Sequence, residues 1–179
     1  MNKIKILIPV YNDWQSVFKL LENIDKGLKG WDSDIAHISA IIVNDASTEE
    51  RPINTSTFNN LKSVQIINMK ENKGHARCNA AGLKYINTNS EFDLVVPMDG
   101  DGEDKPKELG SLLCKAYEHP NKVITANRVK RSEGLFFKLC YLIHKYLTFI
   151  FTGQSIKFGN YTCLPKATVN KMVNEPATW

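Results

Sequence analysis

The sequence is poor in cysteine, with four in 179 residues, at positions 78, 114, 140 and 163. None has the paired spacing of a zinc site and the four form no recognisable disulfide framework, so a reducing compartment is expected. No long hydrophobic run opens the chain. The apolar residues 4–10 are interrupted by Lys5, fall far short of the ~20 residues that cross a bilayer, and carry no secretory pattern. Internal repeats, low-complexity tracts and linkers are absent too. Acid is scarce in the final third. From residue 121 onward the only acids are Glu133 and Glu175. The bases there are Lys122, Arg128, Lys130, Arg131, Lys138, Lys145, Lys157, Lys166 and Lys171. The net charge of +4 is therefore concentrated at one end, which favours phosphate-rich partners: nucleotides, nucleic acid or an anionic membrane surface.

What is present is the makeup of one folded domain, 42% hydrophobic and 23% charged, long enough to bury a substantial core. Short β-branched or apolar runs at 3–10, 38–43, 64–68, 94–98 and 122–126 predict strands. Between them lie helical patterns. The first is capped by Asn12 or Asp13, carries Val17, Phe18, Leu20, Leu21, Ile24 and Leu28 on its apolar face, and stops at Gly27 and Gly30. Others cover 75–86, where Ala76, Ala80 and Ala81 suggest close packing, and 106–117, and one begins at 167–173. Residues 49–60 read as loop with a short helix. This alternation predicts a single α/β domain over 1–179, Rossmann-like, with a mostly parallel sheet and helices on both faces. Ligands of such sheets bind outside the carboxyl ends of the strands.

Polar clusters stand at those ends. In Met98-Asp99-Gly100-Asp101-Gly102-Glu103-Asp104, two carboxylates two residues apart follow a buried strand. They can converge on Mg²⁺ or Mn²⁺, which prefer oxygen ligands and would bridge a diphosphate. An acidic surface turn is the competing reading; a calcium loop is a third, lacking the distal Glu of an EF-hand. Val43-Asn44-Asp45-Ala46-Ser47-Thr48 puts Asp45 just past a strand end, as a nucleotide contact or as a turn residue. In Asn72-Lys73-Gly74-His75-Ala76-Arg77-Cys78-Asn79-Ala80-Ala81-Gly82, a loop with Gly74 opens a helix and can offer N–H groups to a phosphate, with Arg77 adding charge. It is no P-loop, because the second glycine and the Lys-Ser/Thr are missing. His75 reads as a helix-start residue before it reads as a catalytic base.

In order and spacing, these motifs resemble the family 2 glycosyltransferases. Ile8-Pro9-Val10-Tyr11-Asn12-Asp13 is similar to an I-P-V-Y-N-E opening. Residues 43–48 resemble V-D-D-G-S-T, with Asn44 for the first Asp and Ala46 for the Gly. Residues 72–82 resemble N-x-G-x-x-x-A-x-N-x-G, and Asp99-Gly100-Asp101 the D-A-D metal motif. Residues 98–106 resemble the M-D-A-D-L-Q-D-P-P of the polyprenyl-phosphate subgroup, which includes dolichol-phosphate mannose synthase. Asn127-Arg128-Val129-Lys130-Arg131 and residues 159–166 resemble its later segments, with Thr162 where many members carry Arg.

The resemblance implies a glycosyltransferase A-type fold and a UDP- or GDP-linked nucleotide-sugar donor. It implies that Pro9, Tyr11 and Asp13 line the nucleotide pocket, with Asp45 on the base. Asp99 would contact the nucleotide or the metal, Asp101 would ligate the metal, and Arg128 and Arg131 would face phosphates. It also implies inverting transfer to a polyprenyl phosphate at the cytoplasmic face of the cell membrane. Family members usually run on past the equivalent of Trp179, so a longer protein or a minimal member is expected.

Residues 135–151 (LFFKLCYLIHKYLTFIF) pair an apolar, aromatic face with Lys138, Tyr141, Lys145 and Thr148 at helical spacing. Lys138, His144 and Lys145 argue against a spanning helix. An interfacial helix giving peripheral membrane association fits; so does a helix buried against the sheet or a partner chain, as in a homo-oligomer. Two rival functions remain. One is extension of a surface glycan on a sugar hydroxyl, which needs a base; Asp104 is the candidate, unless it caps the helix near Pro106. The other is a non-catalytic nucleotide-binding module. Nucleic acid is not expected, because the bases follow no recognition motif.

Overall fold

The structure is a computed structural model that describes residues 2–31, 36–53, 57–102, 104–126, 146 and 161–176. Its centre is a six-stranded sheet. Strand β1 (Asn2–Val10) runs parallel to β2 (Ala36–Asn44) over its whole length, from Asn2 opposite Ala36 to Val10 opposite Asn44. On the outer side β2 pairs in parallel with β3 (Ser63–Asn68), and on the other side β1 pairs in parallel with β4 (Leu94–Pro97). Beyond β4, β6 (Thr162–Pro165) is antiparallel to it, and β5 (Ile124–Thr125) is antiparallel to β6. The spatial order is β3-β2-β1-β4-β6-β5.

The strands' alternation explains the helices on both faces. Ile4, Ile6, Ile8 and Val10 of β1 share a cluster with Ile38, Ala40 and Ile42 of β2 and with Leu94 and Val96 of β4. Helix α1 (Trp14–Gly27) adds Trp14, Val17, Leu20, Leu21 and Ile24 to that cluster; α3 (Leu109–Glu118) adds Leu109, Leu112, Leu113 and Ala116. The intervening residues Leu7, Ile41, Val43 and Val95 face the opposite side. There they meet Cys78, Leu83 and Ile86 of α2 (His75–Asn89) and Val169 of α4 (Lys166–Asn174). With a side-chain period of two, each central strand feeds both cores, so it must be apolar on both faces. Each fully buried Ile or Leu contributes on the order of 1.5–3 kcal/mol, and these two clusters stabilise the sheet beneath the polar crest of loops.

Helix α2 lies close on the sheet, and Gly82 permits it. A Cβ there would stand 2.3 Å from Leu7 Cδ1 and 2.8 Å from Val43 Cγ2, both on buried side chains. The alanines expected to give this close approach do less: Ala80 is buried, Ala81 half-buried and Ala76 exposed.

Several boundaries differ from the sequence-based expectation. The helix expected from Pro106 begins as a 3₁₀ turn (Pro106–Glu108) before α3. No helix occurs among the described residues of 49–60. Strand β6, four residues joined directly to α4, has no periodicity from which to infer it; pairing with β4 defines it. Residues 135–151, apart from exposed Tyr146, lie outside the described residues. Among the described residues, no helix is long and apolar enough to cross a membrane.

Strand order reverses at β1. The chain leaves it through α1 towards β2 and β3, then returns through α2 to β4 on the other side. The carboxyl ends of β1 and β4 are therefore the topological switch point, where a crevice opens in sheets of this kind.

Candidate active site

Three loops meet at that crevice, and short polar side chains bind them together. After β1, Asn12 adopts a left-handed φ of 52°, a conformation asparagine tolerates well. Its Oδ1 accepts from the N–H groups of Thr48 (2.8 Å) and Glu49 (3.1 Å), and its Nδ2 donates to Thr48 Oγ1 (2.9 Å). The Asn12 N–H donates to Ser47 Oγ at 3.0 Å. Of the two cap candidates, Asp13 caps α1, accepting from the Ser16 N–H, while Asn12 ties the loop after β1 to the loop after β2. Asn44 braces the latter loop from within. Its Oδ1 accepts from the Ser47 N–H at 2.9 Å, and its Nδ2 donates to Asn68 Oδ1 of β3 at 2.9 Å. An aspartate could make the first bond but could not donate the second.

Asp45 is buried, with 3% of its surface exposed, and its own N–H extends the ladder to Val10 O at 2.9 Å. Its carboxylate accepts from the N–H groups of Lys73 and Gly74, both at 2.8 Å. Two of the loop N–H groups expected to face a phosphate are thus committed to Asp45. Gly74 stands at φ 81°, ψ 163°, a region essentially restricted to glycine, and this lets the chain turn from Asp45 into the first turn of α2. Asp45 and Gly74 line a cleft of about 180 Å³ with Pro9, Val10, Tyr11, Asn72, His75 and Cys78. Tyr11 forms an exposed apolar wall of this cleft, at 48%. Cys78 is inert there: burial, with the Asp45 charge adding to it, pushes its thiol up to about 12, and its Sγ donates to Val43 O at 3.3 Å.

The third loop follows β4. Met98 continues the strand's pairing, its N–H donating to Leu7 O at 2.9 Å, and Asp99 then enters the crevice. Asp104, only 3% exposed, accepts the Asp99 N–H at 3.1 Å, closing the loop on itself. It does not cap the following helical turn, whose preceding residue is Lys105. Tyr161 lies nearby. Burial raises its pKa, with the charges of Asp104 and Glu108 adding to the effect, and its hydroxyl has no hydrogen-bond partner among the described residues.

Asp99, Gly100 and Asp101 line a second cleft of about 330 Å³, with His75 as the remaining wall. Across it, His75 Nε2 comes to 3.3 Å from Asp99 Oδ1. No three His, Cys, Asp or Glu side chains among the described residues gather as a metal cage. Two carboxylates sharing one open cleft offer the oxygen ligands that a hard divalent ion prefers, and such an ion would complete its shell with water and substrate phosphate. The residues present fit such an ion and not a resident structural metal.

The structure thus brings Pro9, Tyr11, Asp45 and Gly74 around one cleft, and Asp99 and Asp101 around its neighbour. Asp13 caps its helix and is not in either lining, and Arg77 is exposed on α2 outside both. Arg128 and Arg131 lie outside the described residues. Sequence reasoning did not single out Asn72, Cys78 or the contact from His75 to Asp99. The N-x-G-H spacing that starts α2 beside Asp45 was the available signal for the last.

Comparison with known proteins fits this geometry. The model of one family, Glycosyl transferase family 2, matches residues 5–170. The chain belongs to glycosyltransferase family 2. Among relatives of this family, an undecaprenyl-phosphate 4-deoxy-4-formamido-L-arabinose transferase of Proteus mirabilis (strain HI4320) is 26% identical over 167 residues. The match covers 93% of this chain and 49% of that protein. A dodecaprenyl-phosphate galacturonate synthase of Rhizobium johnstonii is 24% identical over 177 residues, covering 96% of this chain and 50% of the relative. The chain therefore spans about half the length of these relatives. Among solved structures, S. aureus TarS 1-349 superposes with a TM-score of 0.55 at 15% identity, over 94% of this chain and 48% of that one; it has also been solved in complex with UDP. The fold is the A-type glycosyltransferase α/β fold.

Proposed function

We propose that this family 2 glycosyltransferase transfers a sugar, with inversion, from a UDP- or GDP-linked nucleotide-sugar to a polyprenyl phosphate at the cytoplasmic face of the cell membrane. The observation that carries this reading is the pair of adjoining clefts at the switch point. One, walled by Pro9, Tyr11, Asp45 and Gly74, suits the nucleoside. The other, walled by Asp99, Asp101 and His75, suits the diphosphate. Support for the acceptor comes from relatives named for undecaprenyl-phosphate and dodecaprenyl-phosphate products.

The division of labour follows from the chemistry of the walls. Tyr11 offers an exposed ring to stack on a base. Asp45 holds the start of α2 in place, which fixes His75 against the second cleft. Asp99 and Asp101 would hold Mg²⁺ or Mn²⁺, which supplies positive charge against the leaving diphosphate. In the transfer, an acceptor oxygen forms a bond to the anomeric carbon as the bond to the donor diphosphate breaks, and the electron pair leaves with the nucleoside diphosphate. A lipid-phosphate oxygen is already anionic and needs no base. A sugar hydroxyl must lose a proton. Asp104, the base candidate for that alternative, is buried and accepts the Asp99 N–H, which favours the phosphate acceptor. Arg128 and Arg131, and membrane association through residues 135–151, belong to the same reading on sequence grounds.

Incubation of the chain with labelled nucleotide-sugars, Mn²⁺, undecaprenyl phosphate and a sugar acceptor tests it. Label extracted with the lipid as a glycosyl phosphate is expected. Label confined to sugar hydroxyls would contradict the acceptor assignment, and no transfer with any donor would favour a binding module.

A further inference from the structure

Among the described residues, His75 is the only one that lines both clefts. It is the first residue of α2, and its position is set by Gly74 and Asp45, which hold the chain just before it. Its Nε2 is 3.3 Å from Asp99 Oδ1, an atom that can only accept from it when the carboxyl is ionised. The same Nε2 is 3.0 Å from the side-chain nitrogen of Asn79, one helical turn along α2. The other end of that amide, Asn79 Oδ1, is buried and has no hydrogen-bond partner among the described residues. Turning the amide over brings this oxygen to Nε2, where a single Nε2 proton serves both Asn79 and Asp99.

We propose that His75, steadied by Asn79, is a positioning residue that holds the Asp99 carboxylate in the orientation that receives the divalent ion. The proposal rests on the reading of Asp99 and Asp101 as the metal-binding pair. The physical reason is preorganisation. Asp99 sits on a loop, and each side-chain rotation fixed before the ion arrives is freedom that binding need not remove. A hydrogen bond from a helix-borne imidazole to Asp99 Oδ1 contributes to that fixing. Partners of this kind commonly change metal affinity by 10–100-fold. His75 is suited to the task because α2 is anchored on the sheet by Gly82 and by Asp45, so the ring approaches Asp99 from the rigid side of the crevice.

The test is titration with Mn²⁺ alone, following the free ion by its paramagnetic resonance, for the wild-type chain and for Asp101→Asn, His75→Ala and His75→Gln. Wild type binding Mn²⁺, with Asp101→Asn losing it, supports the metal reading by itself. His75→Ala is then expected to weaken Mn²⁺ binding by about 10-fold or more. His75→Gln, whose amide N–H reaches a similar position, is expected to restore it to within about threefold of wild type. Because His75 is 56% exposed, the melting temperatures without metal should agree, which separates positioning from unfolding. Unchanged or tighter binding by His75→Ala overturns the proposal and leaves the metal reading standing. Equal loss in the Ala and Gln variants also overturns it, because the imidazole would then act in some other way. No Mn²⁺ binding by the wild-type chain overturns both.

Discussion

At the scale of single residues, the site is built by side chains whose work is to hold loops. Ala46 shows what a departure from the family pattern costs. It stands where the motif carries glycine, and its φ is 55°. For a residue with a Cβ, the left-handed region costs roughly 1–2 kcal/mol. Glycine gives back part of that relief, because it is freer in the unfolded chain by about 0.4–1 kcal/mol. Ala46→Gly is therefore expected to stabilise the protein by up to about 1 kcal/mol, read as a shift in the urea midpoint with an unchanged slope. A loss of stability would show that the loop does not need the left-handed turn. Asn44 and Asn12 illustrate the limits of reading at this scale. Their types and positions were visible in the sequence, but the partners of Asn12 and the Asn68 partner of Asn44 are 24 to 37 residues away along the chain, and only the fold brings those partners in. Asp13 was legible as a cap and Asp45 as a residue at a strand end. That Asp45 spends its carboxylate on Lys73 and Gly74 was not legible, because it depends on where the start of α2 lands.

Among secondary-structure elements, the central strands and α1 to α3 were legible because their apolar periods are long and regular. Strand β5 was legible too, inside the run 122–126, although only Ile124–Thr125 of that run forms the strand; β6 was not, because its four residues carry no period and antiparallel pairing with β4 is what defines it. The join between α1 and the segment leading to β3 was hidden for a similar reason. Asp25, near the carboxyl end of α1, accepts from the N–H groups of Asn59 (3.3 Å), Asn60 (2.7 Å) and Leu61 (2.9 Å). Burial alone would push its pKa up, but these bonds outweigh burial and hold the carboxyl below its ordinary value. A depressed pKa means the stabilisation is present above the unfolded value, about 3.9, and is lost as pH falls through the folded one. Asp25→Asn is expected to cost on the order of 1.5–3 kcal/mol near neutral pH. Its gap from wild type should stay flat down to about pH 5 and close below about pH 4. A gap that widens on acidification would mean that Asp25 is not the acceptor holding this loop.

For the whole molecule, the fold was legible from the alternation of strands and helices, and the crevice from the polar clusters that follow β1, β2 and β4. The sequence could not say that these clusters form two adjoining clefts with His75 common to both. That arrangement arises because the sheet order reverses at β1, which sets the Asp99 loop across from the start of α2. It also explains why an acid pair that alone could be an ordinary turn reads here as half of a donor site.

The central claim is that the two clefts receive the nucleoside and the diphosphate of one nucleotide-sugar, where Asp99 and Asp101 would hold a divalent ion. Thermal melting of the chain with Mn²⁺ alone, with a panel of UDP- and GDP-linked sugars alone, and with both tests this most directly. At a ligand concentration 100 times Kd, binding adds about 2.7 kcal/mol, which for a domain of this size raises Tm by roughly 5–11 °C. The account predicts a shift of that order for one class of donor with Mn²⁺, and a much smaller one when either is omitted. A donor shift of the same size without the metal, or none with any donor, would contradict it.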